Sequence, residues 1–485
     1  MGIVTSQSFK NTIWTYVGFF IGAINTLYLF SYFISDVYYG LVTFVLSTSF
    51  IMSPLMAFGA HNTLVKFYST FKTKNSLHSF LTLMLLLPLA MIIPIGLIGL
   101  VSYEAIAGLI SDENPIVKGY LWHIFIIATA MAYFEVFFAW SKVQMKTVFG
   151  NFMKEVFHRV GVMLLLFAVY LEWITVDQFI NGIAGVYILK MLIMKLYAFS
   201  LKFPVLKFHR IQNVTDILKY AALIIIAGSV ATLILDIDKF MLGQYIPIEE
   251  VAYYGVAIYI ATVIAVPSRS MQQILQPLTA KFLNDKNYDA LDDLYKRSTL
   301  TLYVIGGLIF LLILLNINQL YETIPETFRG GLVVVFLISM SKLYDNLMGC
   351  NNVILFNSDY YRMVLVFGVI LTILVVVLNM IFIPMYGING SAFATFIAIS
   401  VYNTIKIYFV KQKYLMSPFT RETAKVSALI FLIFVLFYFW EFPFHPILNI
   451  ALKSALIVGI YVFAIFKLSI SEDISGMIKK YLRMK

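Results

Sequence analysis

The sequence predicts an all-α integral membrane protein: about 14 transmembrane helices, built as two parallel-repeat six-helix bundles followed by two C-terminal helices. Three observations carry that expectation. Of the 485 residues, 61% are hydrophobic and only 12% charged, with a mean hydropathy of +0.88; a soluble domain is about 45–50% apolar and about 25% charged. The apolar residues run in stretches of bilayer-crossing length. One stretch of the first half also recurs in the second at fixed spacing.

A spanning helix needs about 20 mostly apolar residues. In chain order that ruler marks roughly 13–33, 37–60, 79–103, 118–140, 156–172 and 178–200, then 217–243, 249–270, 299–316, 329–350, 362–383 and 388–410, and last 424–442 and 446–467. The predicted domains are a first bundle over 1–215, a second over 216–415, and two helices with a tail over 416–485. The even helix number puts both termini on one side. The loops alternate in charge, with 28 of the 35 basic residues in one set, among them Lys142, Lys146, Lys154, Arg159, Lys406 and Lys411. The opposite set carries acids such as Asp36, Glu113, Asp177, Glu249 and Glu322. Lys and Arg mark cytoplasmic loops, so the basic loops and both termini are expected in the cytoplasm. The net charge of +10 then reads as topology rather than as a nucleic-acid surface.

Other classes are excluded on composition. The single cysteine, Cys350, forms no disulfide framework, and the six histidines are scattered without ligand spacing, so no metal and no cofactor are expected. No Walker A sequence is present, so the chain itself does not consume ATP. The N-terminus shows no cleavable signal peptide. Gly2 and Ser6 fit a myristoylation pattern, yet a chain that already spans a membrane gains nothing from an acyl chain.

The repeat joins residues 36–67 to residues 250–282. Both copies open on an acid and Tyr-Tyr-Gly, ending at Gly40 and Gly255; both carry a proline, Pro54 and Pro267; both place a Lys-Phe pair at the same distance, Lys66–Phe67 and Lys281–Phe282. The copies are the second and eighth spans, so they run the same way through the membrane, as parallel halves with a substrate site between them. Between the halves, residues 272–300 form a polar segment with i,i+4 pairs Asp292–Lys296 and Asp293–Arg297, expected to lie on the inner membrane surface.

Three stretches resemble a known family. LDIDKFMLGQY with EEVAYYGVA (235–245, 249–257), SDVYYGLVTF with AFG (35–44, 57–59), and PMYGINGSAFATFIAIS (384–400), with Gly387 and Gly390, are similar to signatures of the polysaccharide-export branch of the MOP superfamily. The resemblance implies a MATE/MOP-like fold and a Wzx-type flippase for O-antigen or capsule repeat units, a transporter and not an enzyme, in the bacterial cytoplasmic (inner) membrane. It implies a lipid-linked oligosaccharide as substrate, membrane lipids as surroundings, and a polysaccharide polymerase and glycosyltransferases as partners. Resemblance to the peptidoglycan-precursor flippase allows helices 13 and 14 to shape a groove for a lipid tail.

Ionised residues near the bilayer centre cost about 2.5–3.5 kcal/mol and persist where a cavity or partner receives them. Asp236, Asp238 and Lys239 stand where the seventh helix must still be crossing, with Asp236 and Lys239 spaced to pair. Lys342, Asp345 and Asn346 share a face of the tenth helix, either as a satisfied couple or with Lys342 on a phosphate. Glu135 lies in the aromatic fourth helix, as a packing acid or a site for ion coupling, a role open to Asp236 too. Asn25 follows Gly18 and Gly22 on a helix-packing face and can reach a sugar hydroxyl. Arg269 counts as a cavity residue, while Lys66, Gln272 and Lys281 are placed at the cytoplasmic mouth. Lys190 and Lys195 are expected to snorkel to the inner surface. Rival readings are a drug/cation antiporter, an integral-membrane polymerase or acyltransferase, and a scaffold for glycosyltransferases.

Overall fold

The computed structural model describes residues 3–209, 211, 213–471 and 476. The lipidation pattern at Gly2 and the basic tail at Lys479, Lys480, Arg483 and Lys485 lie outside the described residues. Among those described, the chain is helical without strands, and ten helical stretches are long and apolar enough to cross a membrane. The chain divides into two compact units, Met1–Ala252 and Tyr253–Lys485.

In the first unit α1 (Ile3–Ile24) passes through a π-turn, Asn25–Leu29, into α2 (Phe30–Phe33). The first copy of the repeat is α3 (Asp36–Ala57) and α4 (Ala60–Phe67), broken at Phe58 and Gly59, both at positive φ. Then come α5 (Lys74–Leu86), capped by the Thr73 hydroxyl, α6 (Leu89–Val101) and α7 (Tyr103–Ser111). α8 (Leu121–Val143) is the central post, packed on α3, α4 and α11 (Val176–Leu201). Between them α9 (Val148–Phe152) runs through a second π-turn, Met153–Phe157, into α10 (His158–Tyr170). This helix therefore begins well before residue 156, and it carries Lys154 and Arg159 into the helical layer rather than leaving them in a loop.

α12 (Val214–Tyr245) is continuous through Asp236, Asp238 and Lys239, as the sixteen-residue gap between Lys219 and Asp236 requires. It packs on α3, where Phe240 stacks on Phe44 with ring centroids 5.8 Å apart. The unit of residues 1–252 includes this helix. The aromatic core of the unit gathers Phe80, Phe134, Phe137, Phe138 and Trp140, and the Trp140 indole donates to the Lys202 carbonyl at 3.1 Å.

The second copy of the repeat is α13 (Ile248–Thr262) and α14 (Val266–Asn284), joined by a 3₁₀ turn at Val263–Ala265 just ahead of Pro267. The two copies share their motif but break at different points. α15 (Tyr288–Glu322), capped by Asn287, is the post of the second unit. Around it lie α16 (Leu332–Leu347), α17 (Asn351–Asn357) and the long α18 (Tyr361–Tyr414). α18 holds two predicted spans joined at Gly387, whose φ of 55° and ψ of −133° suit only glycine. α19 (Arg421–Tyr438) and α20 (Pro446–Lys467) pack on α15 through hydrogen bonds of Tyr303 with Ser427 (2.9 Å), Asn316 with Ser454 (3.2 Å), and the Tyr461 hydroxyl with the Val304 carbonyl (2.9 Å).

Gly40, the glycine of the first Tyr-Tyr-Gly, lies so close to the Ile248 carbonyl that a β-carbon would sit 1.9 Å from its oxygen. Gly40→Ala is expected to cost about 1–3 kcal/mol through overpacking. Gly185→Ala, where no heavy atom lies within 4 Å of the added carbon, is expected to be neutral or stabilising. Thermal unfolding of both variants in detergent checks the contrast.

Candidate functional site

The site in the first unit grows from Glu135. On α8 its neighbours one turn away on either side, Met131, Ala132, Phe138 and Ala139, are all buried. Its own side chain keeps 25% of its exposure. Lys154 reaches it at 2.6 Å from the π-turn of Met153–Phe157, where the wider turn re-aims the side chain. Lys142 and His61 also act on Glu135 electrostatically. The Lys142 ammonium sits 4.0 Å above the Phe138 ring, and His61 hydrogen-bonds Asn62 at 3.0 Å.

Lys190 does not snorkel. It is 7% exposed on α11, with its ammonium 4.4 Å from the Phe134 ring, within electrostatic reach of Glu135 and Lys154. Arg159 pairs with Glu155 at 3.5 Å and lies 5.4 Å from the Phe19 ring. The Asn25 amide donates to the Arg159 carbonyl at 2.8 Å, which commits it to holding two helices together. Tyr187 feels both Arg159 and Asp236, and so connects this cluster to α12. There Lys239 pairs with Asp236 at 3.1 Å, each side chain under 20% exposed, and Asp238 is fully buried. All three residues that stand awkwardly in the sequence are therefore sheltered inside the unit. Five cations (Lys142, Lys154, Arg159, Lys190, Lys239) stand with four acids (Glu135, Glu155, Asp236, Asp238) in this unit, a mixed-sign set with a positive excess.

The second unit holds a separate cluster. Lys342 pairs with Asp345 at 3.2 Å, and the Asn403 amide donates to the same carboxylate at 2.9 Å. Asn346 is fully buried and donates to the Ile264 carbonyl at 3.0 Å. Lys406 is 1% exposed, donates to Asn352 Oδ1 at 2.8 Å, and lies 3.8 Å above the Tyr402 ring. Arg269, Gln272 and Lys281 stand on α14, all three exposed, and Lys66, exposed on α4, covers the Tyr220 ring at 3.9 Å. Among the described residues no three His, Cys, Asp or Glu side chains gather as a metal site.

Lys142, Lys154, Arg159 and Lys406 are counted as loop charges in the sequence, and Lys190 as a surface one. The i,i+4 spacing of Glu155 and Arg159 is the signal that a helix already runs through them. Nothing local marks Lys190 or Lys406 as buried.

The architecture has counterparts among solved structures of helical membrane proteins. A solved structure of the lipid II flippase MurJ, in an inward closed conformation, matches with a TM-score of 0.68 at 13% identity, covering 96% of this chain and 99% of MurJ. The MATE multidrug transporter DinF-BH matches with a TM-score of 0.56 at 14% identity, covering 85% of this chain and 95% of its own. An outward-facing MATE transporter of the MOP superfamily matches with a TM-score of 0.56 at 12% identity and the same coverages. No protein-family model and no curated protein matches the chain. At these identities the likeness establishes the fold: a multi-pass membrane protein of MOP-like architecture.

The Glu135–Lys154 pair joins two helices, so removing one partner strands the other. Lys154→Ala is expected to destabilise the protein by about 1–3 kcal/mol, between the values for exposed and buried pairs because Lys154 keeps 43% of its side-chain exposure. Adding Glu135→Gln is expected to recover most of the loss, as read from melting midpoints of the two variants.

Proposed function

We propose that the chain is a flippase that moves a lipid-linked oligosaccharide, a polyprenyl diphosphate carrying a sugar repeat unit, across the cytoplasmic membrane by alternating access. The observation that carries this reading is the mixed-sign, cation-rich cluster around Glu135, Lys154, Lys190 and Arg159. A diphosphate requires cations in a low-dielectric setting, and sugar hydroxyls require donors and acceptors of both kinds. No bond is broken in such a task, so no nucleophile or general acid is needed. An inside-negative membrane potential favours outward movement of the anion by about 2.3 kcal/mol per charge per 100 mV. The structural likeness to MurJ supports a lipid-linked substrate. The sequence resemblance points to O-antigen, capsule or another surface polysaccharide, with both termini in the cytoplasm and with a polymerase and glycosyltransferases as working partners.

In this reading Asp238, Lys239, Arg269, Lys342, Asp345 and Asn346 contact the polar head. Glu135 and Asp236 are the ion-coupling candidates, and Lys66, Gln272 and Lys281 act at the cytoplasmic mouth. The likeness to MATE transporters supports a second reading, a drug/cation antiporter. Complementation of a flippase-null strain, scored by surface glycan, separates the two. The flippase reading expects restored glycan and no protection against an organic cation dye; the antiporter reading expects the reverse. Lys239→Ala and Lys342→Ala are each expected to lower export by about tenfold, the loss of one charge-assisted contact of about 1.5 kcal/mol, with unchanged amounts of protein in the membrane.

A further inference from the structure

Lys453 stands apart from both clusters. It lies in the second turn of α20, 1% exposed, and among the described residues it makes no ion pair, no hydrogen bond and no contact with an aromatic ring. Glu441, in the loop before α20, acts on it electrostatically without coming within ion-pair distance. Lys190 and Lys406, by contrast, are each buried over a ring. An ammonium in a spanning helix is costly unless something receives it.

The groups around Lys453 are chiefly donors. α20 turns Asn449, Lys453, Ile457 and Tyr461 inward, a buried stripe at i,i+4 spacing, and packs on α15. Beside Lys453, the Ser454 hydroxyl oxygen accepts from the Asn316 amide of α15 at 3.2 Å and keeps its own proton. Gln319 follows Asn316 one turn on along α15; it is buried, and neither end of its amide is bonded among the described residues. The Asn449 oxygen accepts from the Phe442 backbone N–H at 3.4 Å, which leaves its amide nitrogen unused. The seam therefore holds one cation and three neutral donors (Gln319, Asn449, Ser454). Two unbonded acceptors, Asn316 Oδ1 and Gln319 Oε1, stand with them.

The level of the seam in the helix says what can reach it. The loop between α19 and α20 carries Trp440, Phe442 and Phe444, with Trp440 and Phe444 exposed, the aromatic signature of a membrane–water interface. Lys453 follows Pro446 by seven residues, about 10 Å along the axis. Side chains lean toward the N-terminus of their helix, so a lysine here reaches back toward that loop. This is the level at which a lipid headgroup meets its acyl chains.

We propose that the seam between α15 and α20 is a binding site for the phosphate group of a membrane lipid. Lys453 supplies the charge, Gln319, Asn449 and Ser454 supply neutral hydrogen bonds, and the two free amide oxygens receive headgroup hydroxyls. The site is separate from the residues assigned to transport above.

The test titrates dioleoylphosphatidylglycerol into the full-length protein in detergent and follows the melting midpoint, with dioleoylglycerol as the phosphate-free control. The phospholipid is expected to raise the midpoint and the diacylglycerol to leave it unchanged. Lys453→Met is expected to melt no lower than the parent without lipid, because it removes a buried charge that has no partner, and to bind the phospholipid about tenfold more weakly. Gln319→Leu is expected to weaken binding by about threefold, and Lys453→Arg to stay within about threefold of the parent. Glycerol phosphate and a polyprenyl diphosphate are titrated in parallel. Whichever of them matches the phospholipid, with the same dependence on Lys453, supports the phosphate site and identifies a soluble or a substrate-borne source. A Lys453→Met variant that melts lower than the parent without lipid, or that binds the phospholipid as the parent does, overturns the proposal. So does a parent that responds equally to the diacylglycerol or to none of the phosphate probes. The flippase reading, tested by surface glycan, stands or falls independently of these outcomes.

Discussion

The constraint on which the rest depends is the cost of charge in a low-dielectric layer. A lone ion there is expensive, and each charge described among these helices, Lys453 excepted, is met by a carboxylate, an amide or an aromatic face. Two kinds of pairing meet the cost, and they differ in what they fix. Asp236–Lys239, Lys342–Asp345 and Glu155–Arg159 are three or four residues apart on one helix, so they form with the helix itself. Glu135–Lys154 crosses from α8 to the π-turn before α10, and therefore fixes one element to another. Local pairs hold charge in place while leaving the helix free to shift as a body. The cross-helix pair records one arrangement of helices and is the contact that a change of arrangement must break.

This division explains how much of the molecule was legible in advance. The helical membrane class follows from hydropathy, and the local pairs follow from residue spacing along α12 and α16. Gly387 was marked by the resemblance of residues 384–400 to a family signature, and the structure turns there through a backbone that only glycine accepts. The cross-helix cluster was not visible. Lys154 looks like a loop residue because the apolar run is marked only from residue 156, yet the helix begins at Val148. A length-and-hydropathy ruler measures where lipid contact begins, whereas a helix that faces polar neighbours starts where its backbone does. Lys190 and Lys406 escape for a related reason. A lysine near the inner end of a span reads as snorkelling unless the aromatic ring that covers it is known, and Phe134, the ring over Lys190, lies on another helix.

The π-turns carry a similar lesson. Asn25–Leu29 and Met153–Phe157 lie on neighbouring segments, with the Asn25 amide bonded to the carbonyl of Arg159 just past the second turn. An extra residue per turn rotates everything beyond it relative to a regular helix. Sequence periodicity assumes 3.6 residues per turn, so it misassigns faces beyond such a turn. The Asn25 amide donates to the backbone of the next helix, and the second π-turn carries Lys154, which reaches Glu135 at 2.6 Å.

A flippase of the kind proposed must also let go. Five cations without acids would hold a diphosphate too firmly to release it, and acids in equal strength would repel it. A cluster in which lysines already have acid partners avoids both extremes. Under the proposed function an entering anion competes with those acids rather than filling a bare positive hole, so only the difference between two similar ion pairs would appear as affinity. On that view the acids of the site are not defects in a phosphate pocket. They set its strength, and a site stripped of Glu135 and Asp345 would bind the anion more tightly while turning over more slowly.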